Sequence, residues 1–211
     1  MPKARTRTTL SSSLPTAKPA ARVLRLTHAC PWPIVLGIDP GTRTIGYGAV
    51  VARPKGARLF AAGALHGDRS ADVPRRLGQL LRELERVLEE VRPNVVVVEQ
   101  AFAGRNVQSA LRIGEGRGVV LALCADFGCE VVQFPPAVAK KVLVGNGAAD
   151  KTQVAAMVAE LLGLERAPEP LDASDALGLA LAFVLRRERE LRFPVLQTRT
   201  RTKTSARIAR S

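Results

Sequence analysis

Cysteine, histidine and tryptophan are nearly missing from this chain: three Cys (Cys30, Cys124, Cys129), two His and one Trp in 211 residues. An odd, sparse cysteine set without zinc-ligand spacing excludes a disulfide scaffold and suits a reducing compartment. Cys124 and Cys129 sit among apolar residues and are expected as small buried hydrophobes. His28 lies in a basic leader and His66 ends an apolar stretch, neither in metal-ligand spacing, so His66 is expected as a structural or surface residue. No Ser-His or Cys-His arrangement suggests a protein nucleophile. Long hydrophobic runs are missing too. The longest, Ala176 to Leu185, is ten residues between Asp175 and Arg186, whereas a membrane-spanning helix needs about 20.

Acidic residues are missing from both ends. Residues 1–33 hold six basic residues and no acid, and residues 192–211 hold another six and no acid. Of the net charge of +13, the part between keeps only +1, with 20 basic against 19 acidic residues. Basic ends favour polyanions without specificity. Hydrophobic residues make up 46%, enough for a packed core. The expected organisation is a disordered basic N-terminal extension over 1–33, one folded domain over 34–190 and a disordered basic tail over 191–211. Cytoplasmic residence is expected. The Arg/Ser-rich start also has the composition of an organellar transit peptide, and fits an upstream start codon as well.

Within the folded part, Ile34–Ile38 reads as a buried strand ending in the turn signal Asp39-Pro40-Gly41. Strands over 45–52 and 58–66 follow, joined by Pro54-Lys55-Gly56. Leu77, Leu80, Leu81, Leu84, Val87, Leu88 and Val91 recur at helical spacing over 72–91, with Asp72 as cap, Pro74 in the first turn and Pro93 as the stop. Val95–Val98 is a central buried strand ending in Glu99. A helix over 107–127, closed by Gly128, a strand over 130–134 and helices near 136–144, 151–163 and 172–190 complete the pattern. Asp150 and Gln153 form a capping box. Three strands in tight succession, then alternating helices and strands, predict an α/β mixed sheet with helices on both faces.

Four carboxylates stand out by position. Asp39 and Glu99 each end an apolar strand, and Asp172 and Asp175, three apart, share one face at the start of an apolar helix. Singly, each has a structural explanation: a turn residue, the first solvated position after a strand, or acids favoured at a helix N-terminus. Together they form a cluster that repels itself and raises its own pKa values unless cations bind. Ligands that are all oxygen select Mg²⁺ or Mn²⁺, and two such ions about 3.5–4 Å apart can clamp a scissile phosphodiester.

These residues also carry a resemblance. Gly37-Ile38-Asp39-Pro40-Gly41-Thr42-Arg43-Thr44-Ile45-Gly46-Tyr47-Gly48 resembles the opening motif of the RuvC family of Holliday-junction endonucleases. In order and spacing, so do Glu99-Gln100-Ala101-Phe102, Asn106–Leu111 through Gly116-Arg117-Gly118, Val144-Gly145-Asn146-Gly147 through Lys151–Val154, and Asp172–Leu177. The resemblance covers about 34–187. It implies a ribonuclease-H-like α/β fold and ligation of two Mg²⁺ per subunit, with Mn²⁺ as a substitute, by Asp39, Glu99, Asp172 and Asp175. It also implies a homodimer that nicks two opposing strands of four-way junction DNA, and a RuvA–RuvB branch-migration complex as partner. A two-fold dimer presents two equivalent sites, which suits a two-fold junction. Phe102 matches an aromatic that stacks at the junction centre, a contact worth about 1–3 kcal/mol. Arg105, Lys140 and Lys151 match basic positions near the DNA path, with Arg105 standing where the family commonly has Lys. Lys140 and Lys151 are expected to hold phosphates or stabilise the transition state, and Arg112 and Arg117 to add phosphate contacts. Gly145-Asn146-Gly147 forms a loop able to approach a backbone closely.

Three alternatives stay open at this level. An actin-like ATPase or sugar kinase also begins with a strand, Asp and Gly-Thr, though 211 residues is short for two such domains and no second phosphate motif follows. A non-catalytic nucleic-acid-binding relative would lack a use for four acids. A general Mg²⁺ nuclease of the same fold would act on flaps or RNA hybrids.

Overall fold

Alternation along the strands decides the architecture. In the computed structural model, which describes residues 32–100 and 107–192, five strands form one sheet: β1 (Ile34–Asp39), β2 (Thr44–Ala52), β3 (Ala57–His66), β4 (Val95–Glu99) and β5 (Glu130–Phe134). Their order is β3-β2-β1-β4-β5. The β1–β2 and β2–β3 pairs are antiparallel, and β1–β4 and β4–β5 are parallel. Tight turns allow the antiparallel pairs. At the β2–β3 turn the Arg53 N–H donates to the Gly56 carbonyl at 3.0 Å, and Gly56 takes φ +85°, open to glycine at little cost.

Odd and even positions of each strand face different helices. Leu36, Ile38, Ile45, Tyr47, Val96 and Val98 pack under α1 (Val73–Val91) and α2 (Val107–Asp126). Val35, Val50, Val95, Val97 and Phe134 pack under α3 (Pro136–Val144), α4 (Lys151–Leu162) and α5 (Leu171–Arg192). The mixed sheet with helices on both faces is therefore the one expected. The Asp72 cap on α1, the Pro in its first turn and the Asp150–Gln153 capping box on α4 are also present. α1 ends at Val91, as expected from Pro93, with Arg92 as its cap in the left-handed region at φ 48°, its N–H donating to the Leu88 carbonyl. A non-glycine residue there costs about 1–2 kcal/mol. Cys124 is fully buried, and burial pushes its thiol up to about 12, so it acts as the small hydrophobe expected.

α5 lies unusually close to the sheet because three strand positions beneath it have no side chain. Gly37 of β1 pairs with Gly48 of β2, and Asp39 pairs with Gly46. A methyl group at Gly37 would overlap the Ala176 carbonyl, one at Gly46 the Asp172 carbonyl, and one at Gly48 the Leu177 side chain. The helix answers with small residues: Ala173, Ala176 and Ala180 are all fully buried. Leu177 and Leu181, at 0% and 2% exposure, anchor it; truncating either to Ala would cost about 2–5 kcal/mol.

Candidate active site

β1 and β4 run parallel, in register from Val35 with Val95 to Ile38 with Val98. The next residue on each strand is a carboxylate, so Asp39 and Glu99 emerge side by side. The two-residue period puts both on the α5 face, with Val35, Val95 and Val97. The close seat of α5 then brings its first turn over the same strand ends. Asp172 lies against Gly46, the partner of Asp39, and Asp175 is one helical turn further on. Buried Ser174 fixes that turn by donating its hydroxyl to the Pro168 carbonyl at 2.7 Å.

The result is a cleft of about 200 Å³ whose polar lining is Asp39, Glu99, Lys140, Lys151 and Asp175. The Lys151 ammonium donates to Asp175 Oδ2 at 2.5 Å. Lys140 donates to the Ala149 carbonyl at 2.6 Å, holding the loop between α3 and α4. Within that loop the Ala148 N–H donates to Asn146 Oδ1 at 3.0 Å, and Gly145 takes φ +76°.

Asp39 shows the electrostatic consequence. Burial, then the charges of Glu99, Asp175 and Asp172, push its carboxyl up to about 7, with Lys151 opposing. Glu99 is raised by burial and by Asp175, against Lys151 and Lys140. Lys151 is held above its ordinary value, chiefly by its bond to Asp175. An oxygen-only donor set with its central carboxylate destabilised as an anion is the environment a hard divalent cation relieves. As the side chains stand, no three of the described His, Cys, Asp or Glu residues are gathered at ligand distances, and Lys151 occupies Asp175. A cation held by Asp175 would have to displace Lys151 from it.

Of the other expected site residues, Arg112 lies exposed on α2. Arg117 departs from the expectation of an open phosphate contact. It is 9% exposed, its Nη2 donates to Gln133 Oε1, and its Nε has no partner among the described residues. The reason is that α2 leans its Arg117 face onto β5. Phe102 and Arg105 lie outside the described residues. Two features escaped the sequence reading. One is the Gly37–Gly46–Gly48 seat of α5. The other is Arg76 of α1, 9% exposed, which donates Nε to the Thr42 carbonyl at 2.8 Å and Nη1 to the Ala71 carbonyl at 3.1 Å, clasping the turn after Asp39.

A mixed sheet in this order, with acids at two adjacent strand ends beneath an acid-bearing helix, is the architecture of the ribonuclease-H-like class. The family profile "Crossover junction endodeoxyribonuclease RuvC" matches residues 35–183. A protein of that name from Chlorobaculum parvum is 45% identical over 147 residues, 70% of this chain and 79% of the relative. A solved structure of Thermus thermophilus RuvC superposes with a TM-score of 0.68 at 34% identity, covering 74% of this chain and 96% of that one. A second, described as T. thermophilus RuvC in complex with Holliday junction substrate, gives 0.67 at 30% identity over the same shares. The chain belongs to the RuvC family of crossover junction endodeoxyribonucleases, whose nucleases are metal-dependent.

Proposed function

We propose that this chain resolves four-way DNA junctions by paired, symmetric nicks in strands of like polarity, leaving 5′-phosphate and 3′-hydroxyl ends. The observation that carries the reading is the convergence of Asp39, Glu99 and Asp175 on one cleft, with Asp172 seated beside it, in a chain of this family. Asp39, Glu99, Asp172 and Asp175 would hold two Mg²⁺ ions, or Mn²⁺, which supply Lewis-acid polarisation of the scissile phosphate and of the attacking water.

The chain's own residues set the conditions. Asp39, its carboxyl near 7, holds a proton over part of the neutral range until a cation takes its place. Lys151 neutralises Asp175 in the free protein and, once displaced, is at hand for a phosphate oxygen. Lys140 faces Glu99 and pins the loop beside the cleft. Arg112 on α2 adds a phosphate contact, and Phe102 and Arg105, which follow Glu99 in the sequence, stack and steer at the junction centre. Arg117, as buried, acts by fixing α2 to β5.

A homodimer completes the reading, since two equivalent sites cut two strands. Its contact surface is the outer face of α2. Leu111 is 58% exposed there, and Gly114 and Gly118 have nothing within 4 Å of the position a methyl group would take. The protein works in the cytoplasm on nucleoid DNA, with a RuvA–RuvB branch-migration complex as partner. No described helix is long and apolar enough to cross a membrane.

The test is cleavage of a synthetic four-way junction and of linear duplex, each with Mg²⁺ and with EDTA. Paired nicks in the junction, little cutting of duplex, and loss of cutting with retained junction binding in Asp39→Asn are expected. Equal cutting of both substrates defeats junction selectivity. A normally cutting Asp39→Asn defeats the metal site. ATP turnover without cleavage points to a phosphotransferase instead.

A further inference from the structure

The cleft takes only one end of the α5 face of the sheet. At the other end, where β1 and β4 begin, no residue of α3 or α4 lines the space beside α5, which reaches along β5 as far as Phe134, the cross-strand partner of Glu99. A cavity of about 760 Å³ is left there. Its apolar walls are Val35, Val95, Val132 and Phe134 of the sheet and Phe183 of α5, with Trp32 at the rim.

Four of the charged groups around it are already engaged, while Arg53 and Glu130, which also line it, have no side-chain partner among the described residues. Glu188 accepts from the Gly56 N–H at 2.9 Å. Arg186 and Arg187 both reach Glu190, at 3.0 and 3.9 Å, and the Arg186 guanidinium lies 5.4 Å from the centre of the Phe134 ring. Val35, Val95 and Phe134 are already buried in the core, so what the cavity offers an occupant is chiefly half-buried Val132 and Phe183, with exposed Trp32 and Leu191 flanking it.

The chain itself carries a segment of the right chemistry at the mouth. Leu191 lines the cavity, one residue before the last residue of α5, Arg192. The next four residues are Phe193-Pro194-Val195-Leu196, and beyond them up to residue 211 no apolar run exceeds two residues. Pro194 has no N–H to continue a helix and disfavours a helical conformation at the residue before it. Four extended residues span at most about 14 Å, enough to enter a cavity whose rim is one residue away. The residues after them, with Arg199, Arg201 and Lys203, are too polar to follow. The family match ends at residue 183, so the segment lies beyond what the family shares.

We propose that Phe193–Leu196 folds back across the end of α5 and fills this cavity. The segment then acts as an intramolecular plug that leaves the basic residues after it free for polyanion contact.

Trp32 is the one tryptophan of the chain and stands at the rim, so its fluorescence reads the cavity without a label. Three proteins are compared: the full chain, a chain stopped after Arg192, and the full-length double variant Phe193→Asp/Leu196→Asp, all checked for native helix content. In the stopped chain and the double variant, Trp32 emission should move to the red. Its quenching by acrylamide should rise about twofold, as the ring exchanges protein contact for water. A synthetic peptide of residues 193–200, added to the stopped chain, should reverse both changes.

Identical emission and quenching in all three proteins overturns the proposal. So does a change produced by removing residues 1–31 but not by stopping at Arg192, which makes the N-terminal segment the occupant. A Trp32 signal that depends on protein concentration in the full chain also overturns it, in favour of a second copy. The measurement uses no DNA and no metal, so it stands apart from the nuclease reading.

Discussion

Gly46 and Asp172 touch so closely that a methyl group on Gly46 would overlap the Asp172 carbonyl oxygen and lie 3.0 Å from its Cβ. Because Gly46 is also the cross-strand partner of Asp39, this missing side chain sets how near α5 brings its acids to the strand-end acids. Gly46→Ala must lift the first turn of α5. The expected cost is about 1–3 kcal/mol by denaturant unfolding, as for other overpacked cores, together with a fall in junction cleavage larger than unfolding explains at 25 °C. Gly78→Ala, where an added methyl group meets nothing nearer than Arg82 Nη1 at 3.6 Å, serves as the stability control. Wild-type cleavage by folded Gly46→Ala would mean that the closeness of α5 does not matter to the chemistry.

The raised carboxyl of Asp39 predicts how the metal-free protein responds to pH. Its folded value is about 7 against an ordinary 3.8, so between these limits the folded state holds more protons than the unfolded one. Stability from this group is fully present below about 3.8 and is lost by about pH 7. Glu99 shifts in the same direction. Without divalent ions, Asp39→Asn should therefore be more stable than wild type at pH 8, by on the order of 1–2 kcal/mol after allowance for solvent screening. At pH 4 the difference should vanish. Mg²⁺ at a hundred times its dissociation constant should stabilise wild type by about 2.7 kcal/mol and the variant much less. Thermal melts at both pH values, with and without Mg²⁺, check this; an Asp39→Asn protein less stable than wild type at pH 8 contradicts it.

Lys151 competes with any cation for Asp175. Its side chain is 63% exposed, so the pair adds little to stability. Lys151→Met should leave the melting temperature nearly unchanged and lower the maximal cleavage rate about 10²-fold, the scale of one lost electrostatic stabiliser. The Mg²⁺ concentration giving half-maximal rate should not rise, because the competitor is gone. A rate restored by excess Mg²⁺ would show Lys151 to be a metal-site support instead.

Most of this site was legible in the sequence because two periods fix it. The period of two along β1 and β4 puts Asp39 and Glu99 on one face with alternate valines, and the three-residue spacing puts Asp172 and Asp175 on one side of α5. What stayed hidden depends on register between distant segments. Gly37, Gly46 and Gly48 look like ordinary strand glycines until the β1–β2 pairing stacks them under Ala176, Asp172 and Leu177. Arg117 reads as a surface cation from composition, and only the lean of α2 on β5 buries it against Gln133. Arg92 offers no cap signal of its own, since glycine or asparagine is the usual left-handed residue.

The outer face of α2 presents Leu111, Gly114, Gly118 and Ala122 at helical spacing, all exposed. A dimer through this face buries Leu111, where a charge is costly. Leu111→Asp should weaken self-association at least tenfold, about 1.4 kcal/mol, in sedimentation equilibrium, and should convert paired nicks into single ones. An unchanged dimer would move the interface elsewhere.

Arg76 sits where a charge is costly, and its two backbone acceptors explain it. Nε holds Thr42, three residues past Asp39, and Nη1 holds Ala71 at the entry to α1. On the other side of the same turn, Gly116 of α2 lies so close that a methyl group there would be 2.9 Å from the Gly41 carbonyl oxygen. The turn that aims Asp39 is thus gripped by both helices of the opposite face. Arg76→Met leaves two carbonyls without donors and should cost about 1–3 kcal/mol. Arg76→Lys should recover only part of this, because a single ammonium cannot span both acceptors as the guanidinium fork does. If the role is positioning, folded Arg76→Met should need more Mg²⁺ for half-maximal cleavage while binding the junction normally, with Arg76→Lys between it and wild type. Loss of stability with an unchanged Mg²⁺ response would assign Arg76 to the core alone.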